Sequence, residues 1–210
     1  MKPLLITAAL TLAIPVTTQA QYCLGRPSFN TAPSAVRAGA SFASGAQQIS
    51  LGTSFGSRAG LFGGGDVSLI MFDGTDEDAI GFSGHLGGAL PSGKVEFCPL
   101  VGFTHYELPD LFDVELSVRR ISGGIAIGGE VASSPSMAFL PFAAVEFGQT
   151  SLSGGGESVS DTNGSFFIGG GLLMNRTLAL TPSVSFPISD EDSDSDPVFS
   201  ITLSWLIGRR

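Results

Sequence analysis

The chain is short of charge. Asp, Glu, Lys and Arg together make up 14% of its 210 residues, and lysine occurs only at positions 2 and 94. Acids outnumber bases 19 to 10, and no basic stripe exists to neutralise phosphates, which argues against nucleic acid as a partner. Long apolar runs are also scarce. The one such stretch is N-terminal, and Gly and Ser interrupt everything after it, which argues against membrane-spanning helices. There are two histidines and two cysteines, too few for a metal cluster to stand out. What is abundant is Gly, with 29 residues, and Phe, with 16, in a chain that is 43% hydrophobic. That much apolar surface excludes a disordered chain. A composition rich in Gly and branched or aromatic residues and poor in helix formers points to an all-β protein.

The N-terminus reads as an export signal. Lys2 supplies a positive start, Leu4 to Val16 an apolar core too short to span a bilayer as a helix, and Thr18-Gln19-Ala20 the small residues of a cleavage site. Cleavage is expected after Ala20, giving a signal peptide over 1–20. Tyr22 before Cys23 excludes a lipidation site. Export sets an oxidising context, in which Cys23 and Cys98 are expected to form a disulfide.

The body alternates with period two. Phe199, Ile201, Leu203, Trp205 and Ile207 interleave with Ser200, Thr202, Ser204, Leu206 and Gly208, so one strand face is greasy and the other small or polar. Similar patterns define approximate strands at 35–43, 47–56, 61–72, 79–90, 94–106, 114–131, 137–149, 164–174, 177–188 and 197–208. Most approach the roughly 9–11 residues that a tilted strand needs to cross a bilayer. Long acidic connections at 73–78, 107–113, 150–163 and 189–196 alternate with tight turns at 57–59, 91–93, 133–136 and 175–176. The first hairpin, at Ser44-Gly45-Ala46, departs from this rule because its loop is short. Long loops at one end and short turns at the other is the pattern of an antiparallel, up-and-down transmembrane β-barrel of about ten strands, with eight as the alternative count. The charges agree. Arg58, Lys94, Arg176, Arg209 and Arg210 fall at the short-turn end, and most acids fall in the long loops.

These features resemble the small outer-membrane β-barrel proteins of Gram-negative bacteria, broadly the OmpA-like barrels. The closing stretch Phe199-Ser200-Ile201-Thr202-Leu203-Ser204-Trp205 fits that family, although Leu206 to Arg210 follows where the family usually ends on an aromatic residue. The resemblance implies residence in the outer membrane, contact with its lipid, and assembly by the barrel-assembly machinery. It leaves 21–33 as a periplasmic N-terminal segment, 34–210 as the barrel domain, and no appended periplasmic domain. The competing fold is a soluble secreted β-sandwich. Its outer face would be rich in Lys and Glu, whereas the second face here is Gly, Ser, Ala and Thr.

Arg37, Asp66, Glu96, Arg120, Glu130 and Glu146 fall on the polar face and are expected to form an ion-pair network inside the barrel, because buried charges need partners. Small barrels fill their interiors with side chains. The expected role is therefore structural or surface-interacting, without catalysis, cofactor or metal site, and with the acidic loops offered to an extracellular partner. A narrow cation pore is the alternative use of the same acids. A rim hydrolase built on His105 with Asp110 and Asp113 is a further alternative, supported by proximity alone. His85 is placed on the lumen face. The run Asp190 to Asp196 lacks the Gly and distal Glu of a Ca²⁺ loop and reads as a solvated acidic loop.

Overall fold

Strict alternation of large and small residues gives each strand two unlike faces, and one closed sheet turns every large face outward. A computed structural model describes residues 34–57, 60–74, 78–92, 95–111, 114–134, 136–188 and 196–208. The staves are β1 (Ser34–Ala43), β2 (Ala46–Gly56), β3 (Leu61–Phe72), β4 (Asp78–Gly88), β6 (Val95–Leu111), β7 (Val114–Gly129), β9 (Met137–Gly154), β10 (Glu157–Met174), β11 (Leu178–Ile188) and β12 (Val198–Ile207). Two short strands, β5 (Leu90–Ser92) and β8 (Ala132–Ser133), pair on the edges of β6 and β9 near the short turns.

Each stave pairs antiparallel with the next, and β12 pairs with β1 from Ser34↔Ile207 to Phe42↔Phe199. The result is a closed ten-strand, up-and-down barrel with no free edge. It is one continuous closed sheet, so the two-sheet sandwich is ruled out.

The tight turns follow backbone chemistry. Asn175 and Arg176 both adopt positive φ, 48° and 54°, at the centre of the three-residue β10–β11 turn, which the Thr177 N–H closes by donating to the Met174 carbonyl at 3.1 Å. Leu51, Val67, Phe82, Val101, Ile121, Phe147, Ile168 and Trp205 are exposed on the outer surface, whereas Ala35, Arg37, Ser54, Phe62, Glu96, Cys98, Ala126, Leu140 and Ser204 are buried inside. An apolar exterior around a small-residue interior is the reverse of a soluble protein and suits a lipid solvent.

β6, β9 and β10 overshoot the expected spans on the long-loop side, whereas β7 begins at Val114 as expected. β6, β7, β9 and β10 have 17, 16, 18 and 18 residues, against 10–12 for the other six staves. Residues expected as loops at 107–111 and 150–163 are therefore strand, and they form a wall standing above the rim. The reason is continued pairing. Leu152 faces Val159, the Ser151 and Ser160 hydroxyls are 2.8 Å apart, and the Ser153 hydroxyl donates to Ser158 at 3.2 Å. Gly155 and Gly156, with φ of 60° and 87°, close the hairpin in two residues. Serine-rich polarity suggested a loop, but cross-strand pairs outweigh composition.

Candidate functional site

The lumen is the site with built chemistry. Near the short-turn end it is apolar: Phe62, Cys98, Ala126 and Ala144 pack together, with Leu100 and Phe167 against them. Leu140 and Glu96 are fully buried at about this level. A second small cluster joins Ala35, Leu206 and Leu173 at the barrel seam.

Above this packing, charges of opposite sign are drawn together on two walls. On the first, Arg37 of β1 reaches across β2 to Asp66 of β3. Its Nη2 donates to Asp66 Oδ2 at 2.6 Å and to the Thr53 carbonyl at 3.4 Å. Arg37 is 3% exposed and Asp66 22%, so the guanidinium end of the pair is the one shielded from water. Glycine makes the room. A Cβ on Gly52 would overlap Asp66 Oδ1 and the Gly65 carbonyl, and one on Gly64 would lie 3.2 Å from Arg37 Nη2 and 2.5 Å from the Thr53 carbonyl. His85 lines the same wall, its ring centroid 6.5 Å from that of Phe62.

On the second wall, Arg120 of β7 spans to β9 and β10. Its Nη2 lies 3.5 Å from Glu146 Oε1, and its Nη1 donates to Asn163 Oδ1 and, at 3.5 Å, to Thr150 Oγ1. Asn163 in turn donates to Thr150 Oγ1 at 3.4 Å. Gly148 supplies the space, since its Cβ would lie 3.1 Å from Arg120 Nε and 3.0 Å from Ser122 Cβ. Nearer the rim, Tyr106 is hydrogen-bonded to Gln48 and lies across Gly81, where a Cβ would collide with its ring.

Four of the six charges expected to pair inside the barrel meet as two pairs. Arg37 takes Asp66 and Arg120 takes Glu146, and these are separate pairs on different walls. Glu96 is buried on β6, and Glu130 is half-buried just past the end of β7. The sequence reading missed Asn163, Thr150, Tyr106 and Gln48 as members of the polar interior. The first two lay in an expected loop, so no face could be assigned to them.

The exterior carries the remaining candidates. His105 projects from the lipid-facing side of β6, its ring tilted 48° to that of Phe82 with centroids 5.0 Å apart, and its Nε2 is 3.9 Å from Glu107 Oε1. Of its expected hydrolase partners, Asp110 falls on β6 and Asp113 lies outside the described residues, as do Cys23, the signal peptide, the 21–33 segment and residues 190–195 of the acidic run. Among the described residues no group of three or more His, Cys, Asp or Glu is placed to hold a metal ion.

The architecture has counterparts. The β domain of the Bordetella autotransporter BrkA superposes with a TM-score of 0.54 at 10% identity, over 84% of this chain and all of that one. This is the outer-membrane β-barrel fold. Its apolar belt is the surface that meets lipid, and fold and belt together place the barrel in the cell outer membrane. The translocator domain of the autotransporter NalP from Neisseria meningitidis aligns at a TM-score of 0.47 with 8% identity, covering 84% of this chain and 87% of that one. Neisserial surface protein A aligns at 0.40 with 11% identity, covering 84% and 99%. No family model and no curated protein matches the sequence of this barrel.

Proposed function

We propose that the protein is a structural and surface-interacting outer-membrane barrel whose lumen is a side-chain plug rather than a conduit. The observation that carries this reading is the arrangement of the interior charges. Each arginine joins three neighbouring staves: Arg37 bridges β1, β2 and β3, and Arg120 bridges β7, β9 and β10. Side chains that tie neighbouring staves together in this way brace the barrel wall, and apolar packing around Phe62 and Cys98 occupies its lower end. Chemistry available to an outside partner then lies in the acidic connections and in the raised wall of β6, β7, β9 and β10. The partners in this reading are the outer-membrane lipid, the barrel-assembly machinery, and an extracellular molecule met at that rim. The reading assigns no catalysis to this barrel.

Conductance of refolded protein in a planar lipid bilayer tests it. The expected record shows no stable ion-sized steps. Steady steps that disappear when the lumen is blocked near Glu96 or Glu146 would replace the plug with a cation pore. A hydrolytic activity lost in a His105→Ala variant would replace it with a rim enzyme.

A further inference from the structure

The raised wall ends at β10 in an open strand edge. Residues 157–163 pair with β9 on one side, from Glu157↔Gly154 to Asn163↔Gly148. On the other side the ladder to β11 begins only at Gly164↔Ile188, so among the described residues no strand pairs with that edge. The Thr162 N–H turns to it and is capped by the Asp161 carboxylate at 2.8 Å. Alternate residues of an antiparallel strand turn the same way, so Ser158 and Ser160 offer their N–H and C=O groups there as well. The wall's other edge, on β6 beyond Glu107, contains Pro109, which has no N–H to offer. A row of unpaired backbone groups is a template for a further strand.

The side chains along the edge say which strand fits. Asn163 reaches Arg120 in the lumen, so Asp161, Val159 and Glu157, at steps of two before it, lie on the face that continues the lumen lining. On that face Tyr106, Val118, Leu152 and Val159 are successive register partners, an apolar row across the wall that stops at the edge. Val159 is 71% exposed and Leu152 44%, so the end of the row is uncovered. Glu157 and Asp161 flank Val159, are exposed, and form no ion pair among the described residues. A second copy of the chain is a poor occupant. With Ser160 opposite itself, Val159 would face Asp161, and with Val159 opposite itself, Glu157 would face Asp161. The chain's own acidic run at 190–196 brings the same sign. Opposite charges across a strand pair attract and like charges repel, so the complementary strand is basic, apolar and basic at alternate positions.

We propose that the β10 edge at 157–163 binds an extended segment of an extracellular protein by strand addition, with basic residues opposite Glu157 and Asp161 and an apolar residue opposite Val159. The proposal rests on the surface-interacting reading of the barrel and names the chemistry of its partner. The probe is a fluorescent, end-blocked heptapeptide with arginine at its second and sixth positions, valine at the fourth and threonine elsewhere. Anisotropy reads its binding to the refolded barrel in zwitterionic micelles, and hydrogen exchange reads the β9–β10 hairpin. The peptide is expected to bind and to slow exchange of the edge amides. Moving the arginines to the third and fifth positions turns them to the Ser158 and Ser160 face and should weaken binding about tenfold. Glu157→Gln with Asp161→Asn should do the same, at about threefold for each lost pair. Glu157→Lys with Asp161→Lys should turn the preference to a peptide with glutamate in place of arginine. Ser160→Pro, which removes an edge donor where proline is tolerated, should abolish binding. Equal binding of the two arginine arrangements would reduce the effect to attraction by net charge and overturn the proposal. No binding, or binding that leaves the edge amides unprotected, would overturn it too. Heat-modifiable gel mobility reports the barrel of every variant and the bilayer record reports the lumen, so failure of the edge is distinguishable from failure of the fold or of the plug.

Discussion

The guanidinium of Arg37 and the carboxylate of Asp66 meet at 2.6 Å across a strand that carries glycine, not a side chain, at the crossing point. Arg37↔Gly52 and Gly52↔Asp66 are register partners, so the pair spans three staves in one straight line. Removing one partner leaves a buried charge uncompensated. Asp66→Asn is expected to lower stability by about 3 kcal/mol, read as a shift in the urea midpoint of the refolded barrel. Replacing both, as Arg37→Met with Asp66→Leu, should recover most of that loss. If the double variant is no better than the single one, the pair is not the source of the effect.

Gly52 is predicted to be intolerant because the space above it is taken. Gly52→Ala would force its methyl group against Asp66 Oδ1 and the Gly65 carbonyl, and a loss of about 1–3 kcal/mol is expected. Gly84 is the control. The nearest atom to a Cβ there is 3.7 Å away, so Gly84→Ala should leave the midpoint almost unchanged. The comparison is read from parallel denaturant titrations.

Cys98 is fully buried beside Phe62 and Ala126. Paired with Cys23, it would fasten the N-terminal segment to the short-turn end of the lumen. The closed loop is long enough that the chain-entropy model gives about 4 kcal/mol of stabilisation. Denatured, non-reduced protein is expected to show no free thiol, and reduced protein two. Two free thiols in both samples would remove the bond.

The wall above the rim predicts the topology. A cysteine placed at Gly156, in the β9–β10 turn, should react with an impermeant maleimide on intact cells. A cysteine at Asn175, in the turn at the other end, should react only after lysis. The reverse pattern would invert the barrel. The Thr150–Asn163 segment should also resist protease in the native protein, because a paired hairpin lacks the exposed, adaptable backbone of a loop.

The sequence by itself determined the strands and their faces. A period of two leaves no freedom, since shifting by one residue would turn Phe199, Ile201, Leu203 and Trp205 into the lumen. Hence Arg37, Asp66, Glu96, Arg120 and Glu146 could be placed inside from alternation alone. The sequence did not determine where strands stop. Pairing of Ser151 with Ser160 and of Leu152 with Val159 is a gain between segments, invisible in either segment's own polarity. Nor did it determine which charge meets which. Arg37 and Asp66 are 29 residues apart, and Arg120 and Asn163 are 43 apart. Pairing of neighbouring staves in register sets those distances, and glycines at 52, 64 and 148 leave the space in which the long arginine side chains lie across their neighbours.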